Sequence, residues 1–163
     1  MTSHEPVPAS TSATPRKPAT EQFAPVAADY ALFSYHVAGP DLAPMLAAGE
    51  MTGEERVLDI GSGPGPTALP FAPAAREVVA SDPTEAMLDQ GLRLARERGL
   101  ENVRFECTGA ESLPFAADTF DRVTSRQSAH HYEDIEAAMR EVARVLRPEG
   151  RFVLIDTVAP EDE

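Results

Sequence analysis

Cysteine is nearly absent: Cys107 is the single one in 163 residues. One thiol closes no intramolecular disulfide and builds no cysteine-based zinc site. Long apolar runs are absent too, and none reaches the length of a membrane span. The first twenty residues lack the apolar stretch of a secretory leader. They are rich in Pro, Ser, Thr and Ala, with Pro6, Pro8, Pro15 and Pro18, and show no periodic apolar pattern. Residues 1–20 are therefore expected to form a disordered tail, and a soluble, cytoplasmic protein is the expectation. Positive charge is scarce: 14 Lys and Arg stand against 27 Asp and Glu, for a net charge of −13. That balance argues against a nucleic-acid partner and favours a small-molecule substrate, although the same charge also serves plain solubility.

What the chain does have is concentrated in Val57-Leu58-Asp59-Ile60-Gly61-Ser62-Gly63-Pro64-Gly65. Arg56 to Ile60 reads as a buried parallel strand. The glycines that follow allow a sharp bend and a close backbone approach to a ligand. Thr67-Ala68-Leu69-Pro70-Phe71-Ala72 can then start a helix, and a strand, a glycine turn and a helix N-terminus make a nucleotide-type cofactor site. The dinucleotide pattern G-x-G-x-x-G lacks its third glycine here, because Pro66 occupies that slot. The pattern is G-x-G-x-G, with Asp59 just before it. An acid there suits an amino group or a sulfonium cation better than a pyrophosphate.

Beyond the turn, strands and helices alternate, which implies a parallel, doubly wound sheet. Ahead of it, Leu42, Met45 and Leu46 have helical spacing after the Gly39-Pro40-Asp41 turn. Val78, Val79 and Ala80 form the second strand, with Asp82 at its carboxyl end. Asp82 lies where a ribose-binding acid is expected, though it also stands where it would cap the next helix. Residues 84–99 form a helix ended by Gly99, in which Met87 sits either against the cofactor or in the core. Residues 102–107 alternate as strand three, where Cys107 is expected to be buried. Residues 119–126 form strand four. Gln127-Ser128-Ala129-His130-His131-Tyr132 then lies at the carboxyl end of a central strand, where a substrate would sit. His130 and His131 are candidate general bases there, and without a third ligand no metal is expected. Residues 134–146 form an amphipathic helix, and residues 151–158 the fifth strand.

On the Gly61/Gly63/Gly65 turn, on Gly109-Ala110-Glu111-Ser112-Leu113-Pro114-Phe115 and on the Phe120-Asp121-Arg122-Val123 core of strand four, the chain resembles the class I S-adenosylmethionine-dependent methyltransferases. Within them it is similar to the ubiquinone/menaquinone-biosynthesis-like, type 11 branch. The resemblance implies a Rossmann-like, mostly parallel α/β sheet in residues 21–163, with S-adenosyl-L-methionine as cofactor. It implies that Ala110 and Glu111 flank the adenine, that Asp82 and Pro83 lie at the ribose, and that Asp59, Gly61, Ser62, Gly63 and Gly65 surround the methionine part. Arg126 is expected on the same wall, toward the substrate. Phe23 and Tyr30 are implied to fold over the cofactor, or else to pack on the sheet. Relatives carry further strands after the fifth, so the domain is expected to be truncated there, leaving a strand-five edge open to self-association. The implied activity is methyl transfer to a small or lipophilic metabolite. A non-catalytic cofactor-binding fragment and, less favoured because of Pro66, a nicotinamide-dependent oxidoreductase are the alternatives.

Overall fold

The computed structural model describes residues 17–30 and 39–157. The expectation of a disordered tail falls mainly on residues 1–16, which lie outside the described residues, as does the side chain of Tyr30. Five parallel strands, β1 (Arg56–Ile60), β2 (Glu77–Asp82), β3 (Val103–Cys107), β4 (Phe120–Arg126) and β5 (Leu146–Ile155), form one sheet in the order β3-β2-β1-β4-β5. The order reverses between β1 and β4, and a crevice opens at the carboxyl ends of strands on either side of such a reversal. The helices are α1 (Ala19–Phe23), α2 (Ala27–Tyr30), α3 (Leu42–Gly49), α4 (Ala68–Phe71), α5 (Glu85–Glu97) and α6 (Ile135–Val145). Among the described residues, no helix is long and apolar enough to cross a membrane.

Alternation along the strands divides the core in two. Leu58, Ile60, Val79 and Val123 face Ala138, Val142 and Val145 of α6. Val57, Val78, Ala80 and Val153 face Met45 of α3 and Ala68 and Phe71 of α4. Asp59 lies on the second face because it is two residues beyond Val57. The apolar positions of α6 recur at the spacing of successive turns, and the Asp134 side chain caps the helix by accepting from the Ala137 N–H at 2.9 Å.

Two expectations need correction. Cys107 is exposed, because β3 is an outer strand and the residue is its last. Strand five begins earlier than residue 151: Leu146 already pairs with Phe120, and pairing resumes at Arg122 and Arg151 after a break in register. The excursion between them turns at Glu149, whose φ is 64°.

The first turn after β1 is where glycine is required. Gly61 has φ +65°, and a Cβ built on it would stand 2.5 Å from the Cβ of Ser128. Ser128 Oγ in turn donates to the Ile60 carbonyl at 3.1 Å, closing the β1 end against the β4 end. Gly61→Ala is expected to cost about 2–4 kcal/mol from left-handed strain and overlap. Chemical unfolding of Gly61→Ala, Ser128→Gly and the double variant checks this, with part of the loss recovered in the double. Independent, additive losses would contradict the contact.

Candidate functional site

The crevice is a cleft of about 270 Å³ above the carboxyl ends of β1, β2 and β4. Its floor is the glycine turn, with Gly61, Ser62 and Gly63 exposed to it, and Pro66 and Thr67 lead on to α4. Asp82, Pro83, Thr84 and Met87 form the wall after β2, and Gly109, Ala110 and Glu111 the wall after β3. Arg126, Gln127, Ser128, His131, Tyr132 and Glu133 line the side after β4, and Pro18, Thr20 and Phe23 of the N-terminal segment complete it. Most residues singled out from the sequence thus meet around one cavity. Asp59, Gly65 and His130 do not line it.

Asp82 Oδ2 accepts the Gly63 N–H at 2.9 Å, and Oδ1 accepts the Thr84 N–H at 2.8 Å. The carboxylate therefore holds the glycine turn and the start of α5 together. It is only 9% exposed, and burial pushes its pKa up despite these donors.

Asp59 lies beneath the glycine turn, 1% exposed. Oδ1 accepts from the Thr124 hydroxyl at 2.7 Å, and the Ala68 backbone N–H also favours the carboxylate, although Oδ2 has no well-formed hydrogen bond. Burial pushes the carboxyl from 3.8 up to about 7, with the Thr124 bond opposing. A buried oxygen of this kind is costly unless something supplies a donor. Gly65 serves the fold: its N–H donates to the Ser62 carbonyl at 2.9 Å, and its carbonyl receives the Leu69 N–H at 3.0 Å.

Arg126 lines the cleft with its side chain 2% exposed, gripped by Asp41 through Nε–Oδ2 at 2.8 Å and Nη2–Oδ1 at 2.7 Å. The guanidinium holds the Asp41 carboxyl below its usual range. Glu111 also has a structural duty, since its Oε1 accepts the Glu133 N–H at 2.9 Å. His131 faces the cleft, its ring meeting Phe23 edge-on at 5.1 Å and His130 at 4.0 Å. His130 instead turns to Asp156, with Nδ1 2.6 Å from Oδ1 and its N–H donating to Oδ2 at 3.0 Å. Burial pushes Asp156 up, but these bonds outweigh it and its pKa is lowered.

The sequence reading passed over Asp41 and Tyr132. Tyr132 O–H joins Ser125 Oγ at 2.9 Å, which joins Ser128 Oγ at 2.9 Å, so three hydroxyls are linked under the β4 side. Burial pushes Tyr132 up to about 12, so it stays a neutral phenol. Its place in the polar run after strand four was the available signal. Asp41, a residue in a turn ahead of a helix, carried none. Among the described residues, no group of three His, Cys, Asp or Glu is arranged to hold a metal ion.

One ligand in the cleft would touch the glycine turn, Asp82 and residues 109–111 together. The family described as "Methyltransferase domain" matches residues 58–154. An uncharacterized methyltransferase of Bacillus subtilis, YcgJ, is 51% identical over 124 residues, covering 76% of this chain and 49% of that protein. Its crystal structure superposes with a TM-score of 0.72 at 50% identity, over 74% of this chain and 52% of that one. The ubiquinone/menaquinone biosynthesis C-methyltransferase UbiE of Rickettsia massiliae is 37% identical over 107 residues, covering 61% of this chain and 43% of its own length. The [4+2]-cyclase SpnF matches at 25% identity with a TM-score of 0.72, over 86% of this chain and 61% of that one. The chain spans about half the length of the curated relatives it matches.

The buried Asp59 carboxyl gives a pH signature. The folded state holds its proton more tightly than the unfolded chain does. The stability this lends is full below 3.8 and is lost as the pH rises through about 7. Between about pH 4 and pH 8, Asp59→Asn should gain on the wild type by up to on the order of 4 kcal/mol. Urea unfolding of both proteins across that range measures it, and a constant difference would contradict it.

Proposed function

The chain belongs to the methyltransferase-domain family, and from that premise we propose that it binds S-adenosyl-L-methionine in this cleft and transfers its methyl group to a small-molecule acceptor. The observation that supports the reading is a single cleft bounded by the glycine turn, by Asp82 and by residues 109–111. A cationic amino group held on the glycine turn would give the buried Asp59 carboxylate a nearby counter-charge. Asp82, already at the cleft wall, has the chemistry to accept from ribose hydroxyls. Ala110 and Glu111 stand where the adenine would lie, and Met87 and Pro83 close the apolar side.

When bound, the cofactor supplies a methyl group on positively charged sulfur, with a neutral leaving group. The protein's part is then mainly to hold two reactants in line and to exclude water. Phe23 and the residues beside it cover the cleft mouth, while His131 and Tyr132 present polar atoms to an acceptor. His131 is placed to take a proton from an acceptor hydroxyl or carbon acid. His130, tied to Asp156, fixes the turn that carries His131. A small or lipophilic metabolite fits the mixed polar and aromatic lining better than a polymer. The likeness to a cyclase is a reminder that this fold also supports other chemistry, so activity has to be read from the site.

Calorimetric titration with S-adenosylhomocysteine tests the cofactor. Binding is expected with a Kd between about 1 µM and 1 mM, the usual range for such sites. Asp82→Asn should weaken it about tenfold or more, the loss of a charge-assisted pair, and NAD should not compete. Folded wild-type protein that ignores the ligand, or displacement of the ligand by NAD, would overturn the reading. Binding without turnover on any acceptor class would favour a purely cofactor-binding role.

A further inference from the structure

Residues 108–115 are the first part of the 108–119 connection from β3 to β4, which has no helix or strand, yet they carry Gly109, Ala110 and Glu111 to the cleft. A loop of this kind has no ladder to hold its backbone groups, so its shape depends on what else receives them. The receiver is a pair of side chains on α6. The Leu113 N–H donates to Glu141 Oε2 at 2.8 Å. Arg144 donates from Nη1 to the Phe115 carbonyl at 2.6 Å and from Nη2 to the Leu113 carbonyl at 2.9 Å. The two side chains also bind each other, Nε to Oε1 at 2.7 Å and Nη2 to Oε2 at 2.6 Å.

An i,i+3 ion pair that served only its own helix would be worth a few tenths of a kcal/mol. This one instead takes three backbone groups of a different segment. At the other end of the same loop, Glu111 accepts the Glu133 N–H just ahead of α6. Leu113 anchors the loop between these points by burying its side chain in the core that α6 also packs against.

We infer that Glu141 and Arg144 are positioning residues: from α6 they set the register of the loop that reads the cofactor's base. The inference rests on the cofactor reading given above. Neither side chain touches the cleft, so their effect reaches a ligand only through the loop. A small slip of the loop moves the Ala110 backbone relative to a base edge, where hydrogen bonds are sensitive to distance and angle. Asp59 and the glycine turn, held by β1 and β2, would not move. The Arg144 bond holds Glu141 down to about 2, so the clamp stays charged at any working pH.

Arg144→Lys keeps the charge but loses the fork that reaches two carbonyls at once. Glu141→Gln keeps the shape but loses the charge. Amide hydrogen exchange on the full chain without ligand should show the 108–115 amides exchanging at least about tenfold faster in both variants, with β1 and β2 unchanged. Calorimetry with S-adenosylhomocysteine and its inosine analogue supplies the second readout. The wild type should prefer the adenine compound, and the variants should lose about fivefold or more of that preference. Unchanged loop exchange, or equal weakening toward both compounds, would overturn the inference while leaving the cofactor reading intact. A wild type that binds neither compound would overturn the cofactor reading and the inference together. Arg144→Lys alone carries the test if Glu141→Gln does not fold.

Discussion

The Asp82 carboxylate is the hinge between fold and site. Parallel pairing of β1 with β2 brings the end of one strand beside the end of the other, with Ile60 opposite Ser81. Asp82, one residue further on, then receives the N–H of Gly63 and the N–H of Thr84. A flexible glycine turn is thereby given one shape, with the backbone open toward the cleft. Charge-assisted bonds to two amides offset part of the cost of holding a carboxylate in a largely buried place, though burial still leaves its pKa raised. If the turn relaxed, Gly61 would leave Ser128 and the floor of the cleft would open.

Two buried acids lie at or near this floor. Asp59 and Asp82 are both buried acids with raised pKa values. The nearest buried cation, Arg126, is already gripped by Asp41. That grip spans 85 residues of sequence and ties the segment ahead of α3 to the end of β4. A protein with an overall charge of −13 has little need of two more buried carboxylates for solubility. Both lie at the carboxyl ends of β1 and β2, within the span that the family match covers.

Much of this was legible beforehand, for local reasons. The Gly61/Gly63/Gly65 turn, the apolar run into it and the acid at the end of the next strand are encoded within a few residues each, and β1 has the bounds expected. The alternation of strand and helix led to a parallel sheet, and the sheet is parallel. What was not legible depends on partners far away in the chain. Cys107 looked like a core residue, but its strand lies at the sheet edge, which no local pattern reveals. Of two adjacent histidines, only His131 faces the cleft, because Asp156, 26 residues on, draws His130 aside. Glu111 was expected beside the adenine, and its further bond to the Glu133 N–H ahead of α6 depends on a residue 22 positions on. Strand five began early because Leu146, which the helical pattern had included, pairs with Phe120 on β4 instead.

The most direct test of the cofactor cradle is the titration of the Asp59 carboxyl itself, followed by carbon-13 NMR with and without S-adenosylhomocysteine. In the free protein the midpoint should lie near 7. With ligand it should fall by about one pH unit or more, as the ligand's positive charge settles on the turn beside the buried carboxylate. A midpoint near 3.8 in the free protein, or one that the bound ligand leaves unmoved, would contradict the account.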